Sequence, residues 1–193
     1  HSPWLIRLID DDYPPLLADC HDAPPILFGV GDASYLMRPS IAMVGSRRPS
    51  IDGARTARWF SRELSEAGFS IVSGLALGID AESHRSCLDA GAITIAVIAT
   101  GLDRIYPGQN RELAQAVATS GVVLTQFFPG SVPHRSHFPR RNRTISGLAA
   151  ATVVVEASDP SGSLITATAA NDQGRDVFVV PWSPWHKQGQ GCL

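Results

Sequence analysis

Within residues 134–148, HRSHFPRRNRTISGL, Arg135, Arg140, Arg141 and Arg143 crowd around Phe138. No Asp or Glu occurs from Leu113 to Val155, so neighbours in sequence cannot neutralise this cluster. The chain as a whole has a formal net charge of −2, which makes the arginines a local signal needing a local cause. Guanidinium groups keep their charge, present a planar fork and, beside an aromatic ring, suit a ligand made of phosphates and flat bases. Single-stranded nucleic acid is the simplest such ligand. A solvated helix face is the ordinary meaning of a basic run, and three arginines at 140, 141 and 143 cannot share one narrow helical stripe. Two features favour a ligand: the acid-free surroundings, and Phe138-Pro139 read as standing just before a helix that starts near Arg140. A base stacked on an exposed Phe contributes about 1–3 kcal/mol.

Three further phrases have residues suited to phosphate. GSRRPS, Gly45 to Ser50, combines a sharp glycine turn with Ser46, Arg47 and Arg48. Two solvated arginines on an ordinary turn would read the same way. SGLALGID places Ser73 and Gly74 at a strand end, with Asp80 read as the N-cap of the next helix. SGSLITA, with Ser161, Gly162 and Ser163, is a phosphate-type turn opening a helix, or a helix with a plain Ser cap. None of these is GxGxxG, so the dinucleotide fingerprint is missing. His84, alone on a helix, reads as a packing or hydrogen-bonding residue. Glu156, Asp103 and Asp159 form no paired-carboxylate or metal-ligand spacing, and the sequence indicates no catalytic residue, metal or cofactor.

These phrases need a scaffold. From Ile41 onward, short apolar runs alternate with amphipathic segments: IAMVGS, a helix over 52–67, FSIVSG, a helix over 80–90, ITIAVIAT, a helix over 109–119, GVVLTQF, the arginine segment, ATVVVEA, a helix over 163–173, and DVFVVP. That alternation predicts an α/β, Rossmann-like, doubly wound and mainly parallel sheet with helices on both faces. Right-handed crossovers put the strands' C-terminal ends, and the Gly/Ser-rich phrases, on one edge. Residues 1–38 are acidic and proline-marked and read as a lead-in packed on the core, with one strand in DAPPILFGVGD; residues 39–193 form the main domain.

A chain of 193 residues with 44% hydrophobic composition supports one sizeable core. Cys20, Cys87 and Cys192 are odd in number and widely spaced, which predicts a reduced, cytoplasmic setting. No run approaches the roughly 20 apolar residues of a membrane span. His1 in place of Met and the closing glycine-rich phrase read as a fragment of a longer polypeptide.

Read together, IAMVGSRRPS, IVSGLALGID with Ser83-His84, TGLDRIYP with Gln109-Asn110, FPRRNRTISGL, and VVVEASDPSGSLITATAA followed by GRDVFVVP resemble, in order and spacing, the DprA/Smf family of DNA-processing proteins. The likeness extends from about Leu8 to Val180 and includes Tyr13-Pro14 and APPILFGVGD. It implies a non-enzymatic protein that binds and protects incoming single-stranded DNA and helps load the RecA recombinase in natural transformation and recombination. It also implies a homodimer. By motif, the strand-binding set is Gly45, Ser46, Arg47, Arg48, Ser73, Gly74, Phe138, Arg140, Arg141, Asn142, Arg143, Ser161, Gly162 and Ser163. Gln126 stands where the family commonly has Glu, and Trp182 where it usually has Gly. The competing reading is a nucleoside-monophosphate phosphoribohydrolase of the lonely-guy type, on a similar architecture. That chemistry needs a PGGxGTxxE phrase, and SGSLITATAA supplies no Glu in register. A nicotinamide dehydrogenase is weaker still, since no acid follows a glycine fingerprint at ribose distance.

Overall fold

The computed structural model describes residues 2–192. Eight strands form one sheet: β1 (Trp4–Arg7), β2 (Ile26–Gly31), β3 (Ser40–Val44), β4 (Ser70–Ser73), β5 (Thr94–Val97), β6 (Val122–Thr125), β7 (Ala151–Val154) and β8 (Asp176–Val179). Their order is β1-β2-β6-β5-β4-β3-β7-β8. The six strands from β6 to β8 are parallel, and β1 and β2 add antiparallel at the β6 edge. The fold is therefore the Rossmann-like α/β sheet that the alternation implies. β1, which the sequence reading does not contain, makes the lead-in part of the sheet itself; Trp4 donates from Nε1 to the Gly31 carbonyl at 2.9 Å.

Strands buried on both faces need cover on both. On β3, Ile41 and Met43 point to the side packed by Ala57 of α2 (Ile51–Glu66) and Cys87 of α3 (Ile79–Asp89). Val117 of α4 (Arg111–Ser120) extends that cover over β5 and β6. On the other face, Ala42 and Val44 meet Ile145 and Leu148 of α5 (His137–Leu148), Leu164 of α6 (Gly162–Asp172) and Leu17 of the short α1 (Pro15–Ala18).

α5 begins at His137, earlier than its sequence suggests, so Phe138 and Pro139 lie inside its first turn rather than before it. Proline is tolerated there because N–H groups in a helix's first turn have no intrahelical acceptor. Just past the C-terminal end of β6, Gln126 keeps a hydrogen bond in spite of its missing charge: the Thr144 hydroxyl donates to Oε1 at 2.5 Å. Trp182 turns the chain back over β7 by donating from Nε1 to the Val155 carbonyl at 2.7 Å.

Candidate nucleic-acid interface

The order of the parallel strands reverses between β3 and β7, so the chain segments leaving these neighbours diverge and open a crevice. It measures about 550 Å³, and its walls come from four segments: the turn at Gly45–Arg47, Ala76 and Asp80, the start of α5, and residues 158–166 at the start of α6. Tyr106 closes one side.

The turn after β3 is shaped by contact with the turn after β4. Ile79 donates its N–H to the Ser46 carbonyl at 3.1 Å. Gly78 sits beneath with φ +80; a Cβ there would come within 2.2 Å of the Ser46 carbonyl oxygen. Leu75 holds φ +56, a left-handed backbone that costs a bulky residue about 1–3 kcal/mol, and its fully buried side chain fixes it there.

Arg47 and Arg48 are both exposed. The Arg47 guanidinium lies 5.5 Å from the centroid of the Phe138 ring, and that of Arg141 lies 6.0 Å from it. The Tyr106 ring is tilted at 60° to that of Phe138, with 6.0 Å between centroids. Phe138 is half-buried, leaving part of the ring open to the crevice. Arg48 and Arg140 lie outside the crevice lining, Arg140 with its guanidinium 5.5 Å from the Phe127 ring.

Arg141 is buried, donating to the carbonyls of Gly74 and Val97, the latter at 2.9 Å, and from Nε to Asn142 Oδ1 at 3.1 Å. Burial lowers its pKa to about 10, opposed by the charge of Asp80 and helped by that of Arg47, so it remains a cation at neutral pH. It supplies fixed positive potential from beneath the crevice. Asn142 in turn donates to the Gly162 carbonyl at 3.2 Å, joining α5 to the start of α6. There Ser161 caps the helix by accepting from Ser163 N–H at 3.2 Å, and Gly162 faces open space. Ser161, Gly162 and Ser163 line the crevice together with Arg47.

Besides Arg48 and Arg140, four residues sit differently from their sequence assignments. Arg143 does not reach the crevice: it is paired with Asp22 of the lead-in and, at 3.4 Å, with Asp172 at the end of α6. Its neighbours in sequence have no acid, but the fold brings two. Ser73 and Gly74 are buried and already engaged. The Ser73 hydroxyl donates to the Met43 carbonyl at 2.6 Å, and Gly74 N–H donates to Asp80 at 3.1 Å while its carbonyl accepts from Arg141. Asp80 is not the N-cap of α3, a place taken by Gly78. Its carboxylate folds back onto the preceding loop, accepting from Gly74 and Ala76, and burial raises its pKa despite the opposing charge of Arg141.

The sequence reading leaves Tyr106, Ile165 and Asp80 out of the site and counts Arg135 only as part of the basic segment; all four line the crevice. The TGLDRIYP phrase is placed at the right edge, but which of its residues turns inward depends on the loop's path. His84 is fully buried, its Nδ1 2.7 Å from the Thr94 hydroxyl, consistent with a core role.

A mainly parallel, doubly wound α/β sheet with arginine and aromatic side chains at its switch point belongs to the Rossmann-like class of folds. The family described as DNA recombination-mediator protein A matches residues 4–193, and the chain belongs to that family. Protein Smf of Synechocystis is 45% identical over 196 residues, spanning 100% of this chain and 49% of its own length. DNA processing protein DprA of Streptococcus pneumoniae is 44% identical over 185 residues, 96% of this chain and 65% of its own length. The chain thus spans about half to two thirds of these curated relatives. The X-ray structure of the S. pneumoniae protein matches with TM-score 0.93 at 43% identity, over 97% of this chain and 66% of that one. DNA processing protein A from Helicobacter pylori, solved in a study of its single-stranded DNA binding mode, matches with TM-score 0.89 at 29% identity, over 98% and 86%. Molybdenum cofactor carrier protein from Chlamydomonas reinhardtii, TM-score 0.53 at 17% identity over 76% and 78%, shares the fold alone.

Proposed function

We propose that this chain binds single-stranded DNA in the crevice between β3 and β7 and performs no chemistry on it. The carrying observation is the convergence of Arg47 and Arg141 on the half-open Phe138 ring, with Tyr106 beside it. Guanidinium groups on an aromatic platform hold phosphate and base together, and a base must be unpaired for its face to reach such a ring. The binding mode for which the H. pylori relative was solved supports the same ligand here.

Against the phosphoribohydrolase reading, Asp80 is the crevice's acid among the described lining residues, and its Oδ2 accepts from two backbone N–H groups that hold the carboxylate against its own loop. A carboxylate so held is poorly placed to assist glycosidic cleavage, so incubation with AMP should release no adenine. The family's description as a recombination mediator supports a recombinase of the RecA type as protein partner, and with it protection of the strand and a cytoplasmic setting. The family resemblance supports a homodimer.

A titration of labelled oligothymidine and of its duplex counterpart at two ionic strengths tests the reading. The single strand should bind more tightly, with a log–log salt slope of about 0.7 per phosphate neutralised. Equal affinity for duplex and single strand would overturn it.

A further inference from the structure

We infer that Glu156 is a positioning residue that holds the arginine turn 45–50 in shape and ties it to the chain segment that follows β8. The inference rests on the single-stranded DNA reading of the crevice, and it adds a residue that touches no part of that ligand.

Glu156 is the second residue beyond β7, and its side chain is fully buried. Its backbone carbonyl accepts from Ser46 N–H at 2.7 Å, and its Oε2 accepts from Ser50 N–H at 2.8 Å. Both ends of the segment carrying Arg47 and Arg48 therefore hang on one residue. The other oxygen, Oε1, lies 2.5 Å from Nε2 of His186. With Oε1 as the acceptor, His186 presents Nε2–H to it. His186 is stacked on Trp182, with centroids 4.5 Å apart and planes 19° from parallel, and Trp182 is anchored on Val155. The fold makes room for the carboxylate: a Cβ on Gly53 would come within 2.5 Å of Oε2, so glycine there lets the first turn of α2 close over Glu156 without displacing its side chain.

The carboxylate is not a general anchor for the sheet, since strand pairing does not involve it. Its two side-chain contacts lead to the turn and to the tail. If Oε2 is removed, Ser50 N–H loses its buried acceptor, the Arg47 segment gains freedom, and that freedom must be lost again on binding. The tail enters through His186: without its donor the carboxylate stays buried with one oxygen unpaired, and its hold on the turn loosens.

Binding of labelled oligothymidine by fluorescence anisotropy, at about 0.1 M salt and above, tests this with Arg47→Ala, Glu156→Leu, Glu156→Gln, His186→Ala and the double variants with Arg47→Ala. Loss of one phosphate contact should weaken binding about fivefold at 0.1 M salt and reduce the slope by about 0.7; Arg47→Ala should do this. Glu156→Leu should approach the same loss and the same change of slope, Glu156→Gln should retain part of the affinity, and the double variant should bind no more weakly than Arg47→Ala. His186→Ala should weaken binding in the same direction. Cooperative thermal unfolding shows which variants are folded; if Glu156→Leu is not, the cycle is run with Glu156→Gln. Additive losses, or wild-type binding by the folded Glu156 variants beside a weakened Arg47→Ala, would overturn the inference. Wild-type affinity in His186→Ala would overturn the link to the tail. Wild-type affinity in Arg47→Ala itself would instead overturn the DNA-site reading.

Discussion

Arg47 and Arg143 both sit in basic stretches, yet their surroundings give them opposite roles. Arg47 is exposed over an aromatic ring, whereas Arg143 is held between two carboxylates. Arg143→Ala should therefore leave single-strand affinity and its salt slope unchanged. Its part-exposed ion pairs contribute about 1 kcal/mol or less, so chemical denaturation should show only a small loss of stability. Phe138→Ala should behave differently, losing about 1–3 kcal/mol of stacking with little change in salt slope, because no charge is removed. Titrations at several ionic strengths separate the two effects. The arginine cluster is legible in the sequence; the neutralisation of Arg143 is not, because Asp22 lies 121 residues away and Asp172 lies 29 away.

At the scale of elements, the turns after β3 and β4 work as one unit because Gly78 lets them touch. Gly78→Ala combines a left-handed φ with a clash against the Ser46 carbonyl. It should lower stability by more than about 1 kcal/mol and weaken DNA binding as the Arg47 turn shifts; denaturant titration and anisotropy check the two readouts. Ser161→Ala removes the cap of α6 and should cost about 1 kcal/mol in stability, measured by thermal unfolding. The strands and helices from β3 to β8 are legible because each combines an apolar run or helical periodicity with a glycine or proline boundary. β1 is not: with one buried residue among its four positions, it becomes a strand through pairing with β2. The start of α5 is hidden by Pro139, which reads as a boundary but sits within the first turn.

Across the whole molecule, the core sets how stability responds to acid. Burial holds the His84 imidazole neutral, lowering its pKa from 6.5 to about 3, with Arg141 and Arg85 adding to the effect. The folded pKa lies below the unfolded one, so this contribution to stability is full above pH 6.5 and is lost as pH falls toward about 3. Asp80 acts in the opposite sense, because its raised folded pKa makes protonation favour the fold. His84→Asn should flatten the decline between pH 6.5 and 4.5 by up to about 1.4 kcal/mol per pH unit, as measured by urea denaturation at several pH values. Periodicity and glycine placement in the sequence determined the doubly wound class and the edge that carries the glycine- and serine-rich turns, because both are set by local geometry and the fixed hand of crossovers. Only the tertiary structure decided which polar groups on that edge remain free. Ser73, Gly74, Asp80 and Arg143 are engaged by partners distant in sequence or by a loop's own backbone, while Tyr106 and Arg135 turn into the crevice. Hydrogen bonds and ion pairs between remote segments leave no period or spacing in the chain.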